Sequence, residues 1–173
     1  MIMRPGEALL LPANPVFIVF TLLVAFLFEL LPLGRQPALP DLLALVLVFW
    51  NVHQPRRVGI GWAFLSGLLI DVHDGALLGE HALSYTLLSY AAIMVHRRLL
   101  WFGVLEQSLQ IAPLFFAAHG VALAVRMAAG GMFPGWWLLV APAAEALLWP
   151  VADRKSTRLN SSHTDISRMP SSA

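Results

Sequence analysis

Acidic and imidazole side chains gather in a short stretch near the middle of the chain: Asp71, His73, Asp74, Glu80 and His81. Carboxylates and imidazoles are the side chains that bind metal ions and transfer protons in enzymes. Asp71 and Asp74 are three residues apart and would share one face of a helix, whereas His73 would point away from both. Gly75 and Gly79 can instead turn the chain into an exposed loop that leaves the carboxylates in water. Because these side chains do not converge, we predict a structural or partner-contact role and no metal site.

Four further polar residues stand alone in apolar runs: Glu29, Glu106, His119 and Glu145. A substrate or proton path uses such residues, but an interhelical hydrogen bond explains isolated ones equally well. For Glu145 the sequence favours a structural hydrogen bond. The motifs GxSxG, HExxH and GxxxxGK(S/T) are absent, and so is cysteine. We therefore predict no catalytic residues, no cofactor and no enzyme activity.

These residues belong to a chain that is unusually apolar. Of its 173 residues, 58% are hydrophobic and 12% are charged, and the mean hydropathy is +0.73. A soluble domain has roughly 25% charged residues, so the composition indicates a polytopic membrane protein rather than a soluble enzyme. The length accommodates about six helices of roughly 20 residues and no separate soluble domain. The predicted fold class is an all-α integral membrane protein, a six-helix transmembrane bundle.

The apolar runs define these six helices, and two of the runs are short. The second run, 41–52, would be about 18 Å long as a helix, against a hydrocarbon core of about 30 Å. A re-entrant hairpin is one solution, but it would place Arg56 and Arg57 at membrane depth, which is energetically costly. Two complete spans are favoured if each helix extends beyond its apolar run. The predicted helices are 14–32, 38–52, 58–78, 81–95, 104–127 and 133–151.

The positions of the arginines predict the orientation of the bundle. On one side the predicted helices place Arg4, Arg56, Arg57, Arg97 and Arg98, and on the other Arg35 and Arg126. The positive-inside rule then places the first side in the cytoplasm, together with both termini (N-in/C-in). This orientation holds whether the second and third helices form two spans or a hairpin, because they enter and leave on the same side either way.

Small residues recur at every fourth position through the third helix and beyond it: Gly59, Ala63, Gly67, Asp71, Gly75 and Gly79. This spacing makes a flat ridge that lets another helix approach until the two backbones touch. The ridge therefore predicts a close helix contact, either within the protein or with a partner, and packing within the protein is favoured.

The last twenty residues, RKSTRLNSSHTDISRMPSSA, differ sharply from the rest of the chain. Residues 1–153, the predicted membrane domain, contain seven Arg, no Lys and nine Asp or Glu. The formal net charge of +1 therefore arises in the segment 154–173. That segment is rich in serine and has no apolar periodicity, which predicts a disordered tail. Its string KSTRLNSSH resembles translated sequencing adapter, so we interpret the tail as a sequencing artefact.

The central fifty residues carry a recognisable pattern. Pro40-Asp41 opens a short helix and Pro55-Arg56-Arg57 separates two helices. The run Gly67-x-x-x-Asp71-x-x-x-Gly75-x-x-x-Gly79-x-His81-Ala82-Leu83 follows. In these features residues 40–90 resemble the rod shape-determining protein MreD family of bacteria, and residues 1–153 agree with that family in length and helix number. His73 and Glu80 depart mildly from the family pattern, since less polar residues are expected there.

The resemblance implies a multi-pass subunit of the bacterial inner membrane that belongs to the machinery for cell-wall elongation. The implied partners are a bitopic MreC-type protein and, through it, MreB filaments, the shape-determining transglycosylase and a penicillin-binding transpeptidase. The implied fold is similar to that of the six-helix substrate-binding components of energy-coupling vitamin transporters.

We therefore expect a non-enzymatic scaffold that is needed for sidewall peptidoglycan synthesis. In that role Gly67, Asp71, Gly75 and Gly79 would make a partner contact or support the fold. The residues expected to set the orientation, or to contact anionic lipid, are Arg56, Arg57, Arg97 and Arg98. The alternative is a small-molecule binding or transport subunit, which a polar pocket near the bilayer midplane would favour.

Overall fold

The structure, a computed structural model, describes residues 14–31 and 39–164, and side chains as far as residue 152. Arg4, Arg35 and the last part of the predicted tail lie outside the described residues. Within them the chain is helical and has no strand. A short 3₁₀ turn, Trp136–Leu139, leads into the last helix. The α-helices are α1 (Pro15–Glu29), α2 (Leu42–His53), α3 (Ile60–Asp74), α4 (Glu80–Leu99), α5 (Val104–Ala128) and α6 (Val140–Thr164).

Local signals explain where the first two helices begin. The side chain of Asn14 accepts a hydrogen bond from the Val16 N–H at 3.0 Å, and Pro15 occupies the first position of α1. The side chain of Asp41 accepts from the Ala44 N–H at 2.8 Å and so caps α2. Both helices therefore start at a polar side chain that satisfies an otherwise unpaired backbone donor.

The ends of α3 and α4 differ from the sequence prediction, which ran α3 on to residue 78 and ended α4 at residue 95. Gly75 adopts φ = +58°, a left-handed conformation that ends α3 at Asp74. Gly79, at φ = +108°, then redirects the chain into α4. Residues 75–79 therefore form a tight turn, while α4 continues to Leu99.

The last helix also differs from its predicted extent. It continues past residue 151 to Thr164, into the segment that the sequence predicts to be disordered. No glycine or proline follows Pro150 before Thr164, so nothing in the local sequence stops the helix. The origin of residues 154–173 stays a prediction.

One described helix, Val104–Ala128, is both long and apolar enough to cross a membrane. The helices Pro15–Glu29 and Leu42–His53 and the segment Trp136–Ala152 are apolar but shorter. The twelve residues of α2 rise by about 18 Å, well below the roughly 30 Å hydrocarbon core. Six complete spans therefore remain a prediction, whereas six helices are observed in the described part of the chain.

The core is organised around α2, which contacts α1, α4 and α6. Its side chains Leu43, Leu47, Val48 and Val52 are almost completely buried. Helices α3 to α6 pack in chain order, each against the next. Large apolar side chains also cover the outside of the bundle, as lipid contact requires. The most exposed of these include Val16, Phe20, Leu65, Leu69, Val72, Met94, Leu105, Leu109 and Leu147.

Candidate functional site

Six helix ends meet around one open cavity of about 530 Å³. They are the last turns of α1, α3 and α5 and the first turns of α2, α4 and α6. We call this end of the bundle the cavity end. Its polar lining residues are Glu29, Asp41, His73, Asp74, Glu80, His81, His119 and Arg126. The sequence placed several of these in separate apolar runs, and the antiparallel packing of the helices brings them together.

Asp71 joins α3 to α4 through its carboxylate, and the residue is buried, with 1% of its surface exposed. Oδ2 accepts hydrogen bonds from the Gly79 N–H at 2.8 Å and the Ala82 N–H at 3.3 Å. Oδ1 accepts from the His81 N–H at 2.8 Å and lies 2.9 Å from the His81 ring nitrogen Nδ1. Helix α4 has no side-chain cap of its own, so Asp71 caps it from the preceding helix.

A second polar network joins α2, α4, α5 and α6. Oε1 of Glu145 accepts a hydrogen bond from the Asp41 N–H at 2.9 Å and lies 2.9 Å from Nε2 of His119. The Tyr85 hydroxyl donates to Oδ2 of Asp41 at 2.5 Å. Glu145 is fully buried, and Tyr85 is 2% exposed. These bonds hold the N-terminus of α2 against three neighbouring helices, in agreement with the structural hydrogen bond that the sequence favoured for Glu145.

Two of the residues that line the cavity form an ion pair. Nη2 of Arg126, near the end of α5, donates to Oε1 of Glu80 at 2.6 Å. The Glu80 side chain is 5% exposed, whereas Arg126 is 40% exposed. The buried charge of Glu80 is therefore paired with a cation from the adjacent helix α5.

The small-residue ridge divides into two parts with different roles. Ala63 is fully buried, and Gly67 lies so close to α4 that an added Cβ would come within 2.6 Å of the Ala82 backbone. The ridge therefore packs inside the protein at this point. Gly75 and Gly79 do not continue it, because they form the turn, and neither has an atom within 4 Å of an added Cβ. Gly59 precedes α3 and is equally open.

The arginine pairs lie at the end of the bundle opposite the cavity, which we call the arginine end. Arg56 and Arg57 are exposed in the connection between α2 and α3, and Arg97 and Arg98 are exposed in the last turn of α4. Glu106, in the first turn of α5, is exposed at the same end. The structure thus gathers these four arginines on one side of the bundle, as the chain order of the helices predicted.

The polar side chains described above at the cavity end make hydrogen bonds and an ion pair to neighbouring helices. Among the described residues, no three His, Asp or Glu side chains converge in a way that could hold a metal ion. Sequence reasoning missed the meeting of Asp41, Tyr85, His119 and Glu145, because Asp41 and Glu145 are 104 residues apart. The available signals were the position of Asp41 at a helix start and the isolation of Glu145 in an apolar run.

Over its described residues the chain is an all-helical bundle with an apolar exterior and interhelical polar bonds, which defines the class as a helical membrane protein. The model of the family described as rod shape-determining protein MreD matches residues 12–152, and the chain belongs to that family. The chain is 34% identical over 133 residues to the Rod shape-determining protein MreD of Haemophilus influenzae. This match covers 73% of this chain and 80% of that relative. The family resemblance seen in residues 40–90 is confirmed. No solved structure matches the chain, and similarity to transporter components stays a prediction.

Proposed function

We propose that this protein is a non-enzymatic scaffold subunit of the rod-shape machinery in the bacterial inner membrane. Membership of a rod shape-determining family is the observation that carries the proposal. The geometry supports it, because Asp71, Asp41, Glu145 and Glu80 all bond groups on other helices. A set of carboxylates committed to such bonds stabilises a fixed shape, which a scaffold needs.

In this role the protein would hold the transmembrane part of an MreC-type bitopic partner. Through that partner it would act with MreB filaments, the shape-determining transglycosylase and a penicillin-binding transpeptidase during sidewall peptidoglycan synthesis. The ridge at Ala63 and Gly67 would serve the fold rather than the partner, because α4 already covers it. The exposed arginine pairs would set the orientation and contact anionic lipid.

Depletion tests this proposal. In cells that depend on this chain, depletion is expected to convert rods into spheres, and re-expression is expected to restore rods. The purified protein is expected to carry the MreC-type partner with it. Rod-shaped cells after depletion, together with absence of that partner from the purified protein, would contradict the scaffold function.

The cavity favours a second candidate function, a small-molecule binding or transport subunit. Its volume of about 530 Å³ lies within the range of ligand pockets, and residues from all six helices line it. It opens at one set of helix ends, so binding from one side is compatible with a scaffold. Cells that keep their shape on depletion but lose uptake of one nutrient would favour transport.

A further inference from the structure

The cavity has an inner part that is separate from its open mouth. A space of about 50 Å³ lies among α2, α4, α5 and α6, and Asp41, His81, His119 and Ala122 border both this space and the open cavity. Its other lining residues include Ser84, Tyr85 and Glu145. The inner space is large enough for a water molecule or a small polar group. Because these four residues border both, the two spaces lie next to each other.

Glu145 is one of the residues that line the inner space, and its side chain has one hydrogen-bonding atom without a partner among the described residues. Its Oε1 is bonded as described above, but Oε2 is buried and accepts no hydrogen bond from any residue that the structure describes. A buried polar atom without a partner costs free energy, and a carboxylate oxygen is the costliest case. A donor that enters the inner space would remove this cost.

The charge around the two spaces favours a positively charged donor. The acidic residues that line one or both of the two spaces are Glu29, Asp41, Asp74, Glu80 and Glu145. Among the described residues that line the two spaces, Arg126 is the single arginine or lysine, and it is already paired with Glu80. Acidic side chains therefore outnumber arginine and lysine in the described lining, which favours a cationic over an anionic ligand.

The lining also indicates what kind of cation fits. A metal ion needs several converging ligands, and the described residues contain no such group. The mouth instead presents apolar surface from Phe28, Leu31, Leu39, Leu123 and Leu138. We propose that the cavity binds a small organic cation, with an ammonium or guanidinium group on Glu145 and Asp41 and an apolar stem in the mouth. This inference is independent of the proposed scaffold function, but it rests on the second candidate function, because it names the ligand class of the same cavity.

Titration of the full chain in lipid nanodiscs with agmatine tests the proposal, because agmatine carries a guanidinium and an ammonium on a short apolar stem. Agmatine is expected to bind in a saturable manner, while butanoate, which has the opposite charge, is expected not to bind. The Glu145→Gln variant keeps a carbonyl oxygen for Asp41 and His119 but loses the charge. It is expected to weaken agmatine binding about tenfold or more, as loss of a charged hydrogen bond does.

Two further variants separate the cavity from general effects of charge and folding. Glu106→Gln makes the same change of charge at the arginine end, about 20 Å along α5 from His119, and should leave agmatine affinity unchanged. Ala122→Leu fills the junction of the two spaces without changing charge, and should abolish binding. Absence of agmatine binding to the native chain would overturn the proposal. So would agmatine affinities of Glu145→Gln and Ala122→Leu that equal the affinity of the native chain. If a capped arginine pentapeptide binds and agmatine does not, the proposal of a small free cation is overturned, and the cavity would instead accept an arginine side chain of a partner protein.

Discussion

Asp71 shows how one buried side chain stabilises a connection between two helices. The first N–H groups of a helix have no partner within that helix, and a membrane offers little water to replace one. The Asp71 carboxylate accepts hydrogen bonds from three of these N–H groups, those of Gly79, His81 and Ala82. Its negative charge also lies at the positive end of the α4 dipole. The residue therefore acts as a cap that α4 lacks in its own sequence.

At this scale we predict that Asp71→Asn destabilises the protein by about 1–3 kcal/mol, because one oxygen is replaced by a donor facing other donors. The free energy of unfolding in mixed micelles measures the loss. Amide hydrogen exchange should speed up at residues 79–82. Ser66→Ala is the control on the same helix, since the Ser66 hydroxyl donates to Ala63 within α3. Unchanged exchange at residues 79–82 in Asp71→Asn would contradict the capping role.

At the scale of elements, α3 and α4 form a hairpin whose close approach depends on Gly67. An added Cβ there would lie 2.6 Å from both the nitrogen and the Cα of Ala82, and these are backbone atoms that cannot rotate away. By contrast, Gly61, on the exposed side of the same helix, has no atom within 4 Å of an added Cβ. A substitution at Gly67 therefore affects both helix packing and helix propensity, whereas the same substitution at Gly61 affects helix propensity alone.

We predict that Gly67→Ala lowers the free energy of unfolding by about 1–3 kcal/mol, because α4 must move away from α3. Gly61→Ala should be neutral, or stabilise by up to about 1 kcal/mol, since alanine favours a helix more than glycine does. Unfolding of both variants in mixed micelles provides the measurement. Equal effects of the two substitutions would show that the α3–α4 contact does not depend on Gly67.

At the scale of the whole molecule, the two ends of the bundle carry opposite charge. The arginine end exposes Arg56, Arg57, Arg97 and Arg98, while carboxylates dominate the cavity end. Such asymmetry orients a membrane protein with its arginine-rich loops in the cytoplasm. We propose this orientation for the protein, in which the cavity opens on the side of the membrane away from the cytoplasm.

The absence of cysteine from the chain allows a direct test of this orientation. Trp101 at the arginine end is 82% exposed, and Met132 beside the cavity end is 89% exposed. We predict that a membrane-impermeant maleimide labels Met132→Cys in spheroplasts and labels Trp101→Cys only after lysis. Labelling of Trp101→Cys alone in spheroplasts would reverse the proposed orientation.

Much of this architecture follows from local sequence. Mean hydropathy and the length of apolar runs predicted a helical membrane protein with six helices, because lipid solvation depends on each segment separately. The family could also be recognised from the sequence pattern of residues 40–90. The grouping of Arg56, Arg57, Arg97 and Arg98 also follows from the order of the helices, because consecutive helices reverse direction.

Tertiary structure decided which polar residues meet. The sequence marked Glu145 and His119 as isolated, but their contact with each other and with Asp41 depends on how α2, α5 and α6 pack. The sequence likewise left open whether Gly75 continued a ridge or made a turn. In the structure Gly75 has a left-handed backbone conformation and forms the turn. Local periodicity describes one helix at a time. The cavity and its buried carboxylates arise only where several helix ends converge.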